Sequence, residues 1–212
     1  MPAVEISTLV IFLLSSVLAF YLTKSYFQRK KVSYILWASG MWGFTLGVIL
    51  EALFAFGVYD GFLINLYLFV VAILVELLAS GSINLTGNRN AILAYYIYSL
   101  ISAIALIVSL TYANIGYILT AGVVYGPLPL SVIIASSLVT FPAAAVLIIV
   151  AGASYYNKHS AKMVSIIAGT VVVSIAGTLY IAQFPAFLYY AEFVGIVLLW
   201  LGFFDFKRAL HN

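Results

Sequence analysis

Seven long apolar runs, separated by short polar or turn-forming segments, account for most of the chain. The runs are continuously hydrophobic, neither alternating like strands nor one-sided like the helices of a soluble protein. That is the pattern of helices with lipid around them, since ~20 residues at ~1.5 Å rise cross ~30 Å of hydrocarbon. The predicted spans are residues 5–24, 33–57, 62–83, 91–112 and 130–155, a sixth ending near 183–185, and a seventh at 186–206. The connection at 112–129 is itself apolar and holds Gly116, Gly122, Gly126, Pro127 and Pro129, which suits an interfacial hairpin, a re-entrant piece or a lid.

Charge turns this pattern into an orientation. Counting from the first span, all nine basic residues (Lys24, Arg29, Lys30, Lys31, Arg89, Lys158, Lys162, Lys207, Arg208) fall at or beyond the same ends, and Asp60 marks the opposite side. Lysine and arginine are retained on the cytoplasmic face, so the expected topology has the N-terminus outside and the C-terminus cytoplasmic. Glu5 is the only charge in residues 1–7 and the run after it is full length, so the first span is expected as a mature helix rather than a signal peptide. The sequon at Asn84-Leu-Thr86 falls on the cytoplasmic side, where it is void.

Composition narrows the class. Hydrophobic residues make up 66% of the chain, charged residues 7%, and the mean hydropathy is +1.20, which excludes an ordinary soluble domain. The expected fold class is an all-α integral membrane protein, multi-pass in the cell membrane, with residues 1–212 forming one seven-helix domain. The sequence pI near 9.0 reflects the one-sided loops, and a nucleic-acid partner is not expected. The expected partners are the lipid bilayer, a small solute or cation, and further copies or subunits of a membrane complex. There is no cysteine, and His159 and His211 lie outside the predicted spans, so no metal, haem or other cofactor is expected and enzymatic chemistry is the least favoured class.

Three carboxylates lie inside predicted spans: Glu51 in the outer part of the second, Glu76 just inward of centre in the third, and Glu192 outward of centre in the seventh. No lysine or arginine shares their depth. Each must therefore be protonated, hydrogen-bonded, hydrated or holding a cation from solution, because an unpaired charge in hydrocarbon is prohibitive. The functional reading is a proton or cation route; the plain alternative is neutral hydrogen bonding between helices, and Glu51 is the one nearest the interface. Tyr189 precedes Glu192 by three residues, within reach as a donor. Ser39, Gly43, Gly47 and Glu51 fall at four-residue steps on one stripe, where a partner helix can approach closely. Thr170, Ser174 and Thr178 form a second such stripe beside Gly169 and Gly177, available to line a polar path or simply to pack. Pro142 predicts a kink in the fifth span, with Ser137 one turn before it, and frees a carbonyl that needs a local partner.

The first and fifth spans end in related runs, Val17-Leu … Ser25-Tyr and Val146-Leu … Ser154-Tyr, at one constant offset, with a looser echo at Tyr67 and Tyr190. A 3+1+3 parallel repeat would follow, and chance matching in a Leu/Val/Tyr-rich chain is the alternative. In topology alone this plan resembles the microbial rhodopsins and the SWEET sugar carriers. Residues 187–206 hold no lysine for a retinal Schiff base, and the first span lacks the proline usual in the sugar carriers, so no functional residue is carried over. The expected function is a small transporter or channel-like protein using Glu76 and Glu192, with a receptor or sensor without retinal, or a noncatalytic subunit of a membrane complex, as alternatives.

Overall fold

The computed structural model describes residues 2–113, 115, 119–120, 123–124, 127–158, 165, 168–169, 172 and 185–203. The helices are α1 (Pro2–Arg29), α2 (Val32–Ala55), α3 (Gly61–Ile83), α4 (Arg89–Tyr112), α5 (Leu130–Lys158) and α6 (Pro185–Phe203), with a single 3-10 turn at Asn84–Thr86. Five of them contain stretches long and apolar enough to cross a membrane: Thr8–Arg29, Val32–Ala55, Gly61–Thr86, Arg89–Tyr112 and Leu130–Tyr156. This is a multi-pass membrane protein. The sixth predicted span lies mostly outside the described residues, and with it Thr170, Ser174, Thr178 and Gly177, the seven-helix count and the 3+1+3 arrangement. Within the 112–129 connection, β1 (Leu119–Thr120) and β2 (Val123–Val124) pair antiparallel as a very short hairpin that lies against α2.

Turn chemistry sets the short connections. α2 stops where Gly57 takes φ 81°, a conformation that costs glycine little. α4 starts at Asn88, whose side chain accepts from the backbone N–H groups of Asn90 and Ala91 at 3.1 and 3.2 Å, satisfying two donors that the first turn leaves open. Such short turns make consecutive helices antiparallel neighbours. α3 sits at the centre, packed against α2, α4 and α5, and α1 packs against α2 and α6. The main core joins Ile11, Leu18 and Leu22 of α1, Met41 of α2, Leu78 of α3, Leu147 of α5 and Ile196 of α6. Among the five spans α4 is the least buried: only 17% of its apolar window is buried, and Ile97, Leu100, Ile101, Ile104, Ile107 and Val108 form one face that is exposed among the described residues. A face of this kind is suited to lipid.

The α2–α3 seam carries the small-residue stripe, with a difference in where it is tight. A Cβ on Gly43 would sit 3.4 Å from Leu74 Cβ, and one on Gly47 would meet Val71 at 3.7 Å, ordinary contact distances. The close approach is displaced toward the other end of the seam. A Cβ on Gly40 would lie 3.0 Å from the Leu74 carbonyl oxygen, and one on Gly81 would enter the Trp37 indole. The indole Nε1 donates into α3, 3.2 Å from Leu78 O and 3.1 Å from Ser82 Oγ, so the ring is pinned over Gly81 by polar as well as steric contact. Gly169 packs against α6, its added Cβ 3.1 Å from Leu198 Cβ, and Ser165 Oγ donates to Leu198 O at 2.6 Å.

Pro142 stands inside α5 and cannot donate to the carbonyl four residues earlier, that of Leu138. That oxygen accepts instead from the Tyr98 hydroxyl of α4 at 2.5 Å. The partner of the freed carbonyl is thus another helix rather than a neighbour in sequence.

Candidate functional site

The three carboxylates carried by apolar helices do not share one interior. Tyr67 and Glu76 are nine residues apart on α3, and at 100° per residue that places them on opposite faces, separated by about 14 Å along the axis. Two polar sites result, one on each side of the central helix.

The first lies toward the Asp60 end. Glu51 of α2 is 5% exposed, buried in the seam rather than interfacial, and its Oε1 accepts from the Tyr67 hydroxyl at 2.6 Å. Glu192 reaches the same place from α6, and the two carboxyl groups are direct neighbours. Oε2 of Glu51 and Oε2 of Glu192 are both buried with no hydrogen-bond partner. The Tyr67 ring stands edge-on to Phe54, centroids 5.7 Å apart, which fixes where its hydroxyl points. Two acids facing each other with no cation at their depth must keep at least one positive charge between them, a proton or a metal ion, because two bare carboxylates in apolar surroundings repel strongly. Tyr189 belongs to α6, but its side chain lies outside the described side chains.

The second site lies nearer the end bearing Arg29, Lys30, Lys31 and Arg89. Glu76 is 2% exposed, and both of its oxygens are buried without a hydrogen-bond partner. The hydroxyls of Tyr95 and Ser99, one turn apart on α4, approach the carboxyl without completing a hydrogen bond of proper length and angle. The Tyr95 hydroxyl is itself buried and unpartnered. On α3, Ser80 and Asn84 follow Glu76 at four-residue steps toward the chain turn. Asn84 Nδ2 donates to Ser80 O at 2.6 Å and also to the Tyr96 hydroxyl.

Several other helix hydroxyls bond elsewhere, although those of Ser16 and Ser109 are buried without a partner. Ser136 and Thr140 of α5 donate to Ile133 O and Ser136 O of their own helix, at 3.1 and 3.0 Å. Thr45 Oγ1 lies 3.1 Å from Ser15 Oγ across the α1–α2 seam. The hydroxyls beside Glu76 come from α4, whereas Thr170, Ser174 and Thr178 of the sixth predicted span lie outside the described residues. Tyr67, Tyr95 and Ser99 are not among the candidate site residues read from the sequence. A signal for them existed: reflecting Glu51 through the 58–61 turn lands on Leu68, next to Tyr67, and reflecting Glu76 through the 84–88 turn lands on Tyr96, next to Tyr95.

Among the described residues no group of three or more His, Cys, Asp or Glu side chains is placed to hold a metal ion. The chain matches no family model, and no curated protein and no solved structure is significantly similar to it.

Proposed function

We propose that the protein is a small transporter or channel-like membrane protein in which Glu51 and Glu192 form the proton- or cation-exchanging group. The observation that carries this reading is the pair itself: two carboxyls from helices far apart in sequence meet with one oxygen of each buried and unpartnered, and among the described residues no basic side chain pairs with them. A structural role would call for one hydrogen-bonded acid, and Tyr67 already satisfies one oxygen of Glu51. A second acid beside it adds repulsion unless the pair exists to hold and release a positive charge. With the expected orientation, the pair faces the external side and Glu76 the cytoplasmic side. The apolar residues of α3 between Tyr67 and Glu76 form the barrier separating them, which fits gated passage better than an open pore.

The test is proton movement into proteoliposomes, followed with a trapped pH dye under a potassium–valinomycin potential. The wild type is expected to acidify vesicles faster than protein-free controls. Glu51→Gln and Glu192→Gln, which keep the shape and a hydrogen-bond donor but not the charge, should each bring the rate down at least about tenfold, equivalent to ~1.4 kcal/mol in the barrier. Rates equal to wild type in both variants would refute the assignment.

A further inference from the structure

The site around Glu76 has a different composition from the pair and points to a different ligand. It contains one carboxylate with two neutral hydroxyls of α4, those of Tyr95 and Ser99, beside it. Glu76 and Tyr95 are more than nine-tenths buried, and three of their polar atoms (both carboxyl oxygens and the phenol oxygen) make no hydrogen bond. If Glu76 served only as a neutral interhelical donor, its proton would be spent on one of the hydroxyls beside it, and neither bond is made. Buried polar atoms are almost always satisfied, so several orphaned oxygens beside one another mark the place of a bound group.

We propose that Glu76, Tyr95 and Ser99 form a buried site for one alkali-metal cation. The donors are all hard oxygens, the chain has no cysteine, and no histidine is at hand among the described residues, which disfavours transition metals. A single carboxylate with neutral hydroxyls is neutralised by one positive charge, whereas a divalent ion would leave a net charge in apolar surroundings. Tyr98 is not a ligand: its ring lies 6.4 Å from that of Tyr95, and its hydroxyl is committed to Leu138 O. That bond holds α5 against α4 beside the site. This assignment stands whether or not the Glu51–Glu192 pair carries protons.

The experiment is thermal unfolding of the purified protein in detergent, with sodium, potassium or lithium chloride replacing choline chloride at constant ionic strength. A ligand bound only by the folded state raises Tm in a concentration-dependent way. The expected result is a saturable rise of a few degrees with at least one alkali cation, absent in Glu76→Gln, weakened in Ser99→Ala and Tyr95→Phe, and retained in Glu51→Gln. Should Glu76→Gln not fold, the two milder variants and the wild-type infrared spectrum carry the test, because replacing choline by the bound cation should shift the carboxylate stretching bands. A wild-type Tm that is the same in choline and in all three alkali chlorides overturns the proposal. So does a shift that survives in Glu76→Gln, or one that follows Glu51 rather than Glu76.

Discussion

The two halves of α3 solve the same problem in opposite ways. Toward the Asp60 end, a buried acid on α2 meets a second acid and a tyrosine, and the adjoining seam leaves room for a methyl at Gly47, 3.7 Å from Val71. Toward the basic end, Glu76 faces only hydroxyls, and the seam is locked by Trp37 seated over Gly81. Charge concentrates where packing is permissive, and the single acid sits where packing is tight. A pair that gains and loses charge must tolerate small movements of the helices bearing it, whereas a fixed cage benefits from rigid walls. The contrast between a yielding end and a rigid end is what the following substitutions test.

The largest effect is expected at Gly81. Any side chain there collides with the Trp37 ring and with Ser33 O, 3.0 Å from an added Cβ, and the ring cannot swing away without losing its bonds to Leu78 O and Ser82 Oγ. Gly81→Leu should cost about 3 kcal/mol, the upper part of the range for overpacking. Steric-trapping or denaturant unfolding in detergent measures this directly. A loss below that of Gly47→Leu would erase the distinction between the two ends.

Next is Tyr67→Phe. It removes the donor to Glu51 and leaves a third unpartnered oxygen at the acid pair, alongside Oε2 of each residue. Interhelical hydrogen bonds within membranes average about 0.6 kcal/mol and reach ~1.7, and this short bond to a carboxyl belongs at the upper end. We expect a loss of about 1.5 kcal/mol, and in proteoliposomes a proton flux that is altered rather than abolished, since both acids remain. An unchanged stability would mean that Glu51 finds another donor and that Tyr67 does not set its position.

Much of this was legible in the sequence, and the exceptions share a cause. Helix limits followed from the length of each apolar run, and the structure agrees within a few residues for α2, α3 and α4. Buried acids were legible because charge in an apolar run stands out. What single helices cannot reveal is rotation about their axes and which helix lies beside which. Glu51 therefore read as interfacial and Glu192 as a companion of Glu76, although α6 packs beside α1 and brings Glu192 to Glu51. The glycine signal was similarly displaced. The Gly43-xxx-Gly47 spacing drew attention to ordinary contacts, while Gly40 and Gly81, which lack that spacing relation to each other, carry the close ones.

A smaller effect sharpens the comparison at the rigid end by asking whether the α4–α5 latch is real. Tyr98→Phe leaves Leu138 O without its donor, because Pro142 supplies no N–H. The expected cost is about 1 kcal/mol. Pro142→Ala restores the missing backbone donor, so in that background Tyr98→Phe should cost close to nothing. A double-mutant cycle over the two positions then gives a coupling of about 1 kcal/mol. Strictly additive losses would show that the hydroxyl and the proline act independently.

The smallest effect belongs to the yielding end, and it is informative because it is small. Gly47 faces α3, yet an added methyl would meet only Val71 Cγ2 at 3.7 Å, a favourable van der Waals distance. Replacing a mid-helix glycine by alanine also removes backbone freedom from the unfolded chain, worth roughly 0.5–1 kcal/mol in favour of the folded state in soluble helices and less where lipid already enforces the helix. Gly47→Ala should therefore be neutral to stabilising by a few tenths of a kcal/mol, whereas Gly40→Ala, whose Cβ would press on Leu74 O and the Leu78 side chain at 3.0 Å, should be destabilising. Opposite signs for the same chemical change, seven positions apart on one helix face, are the direct measure of a seam that is loose at one end and tight at the other. If Gly47→Ala proves as harmful as Gly40→Ala, the seam is uniformly close-packed, and the freedom of movement assigned to the acid pair has no structural basis.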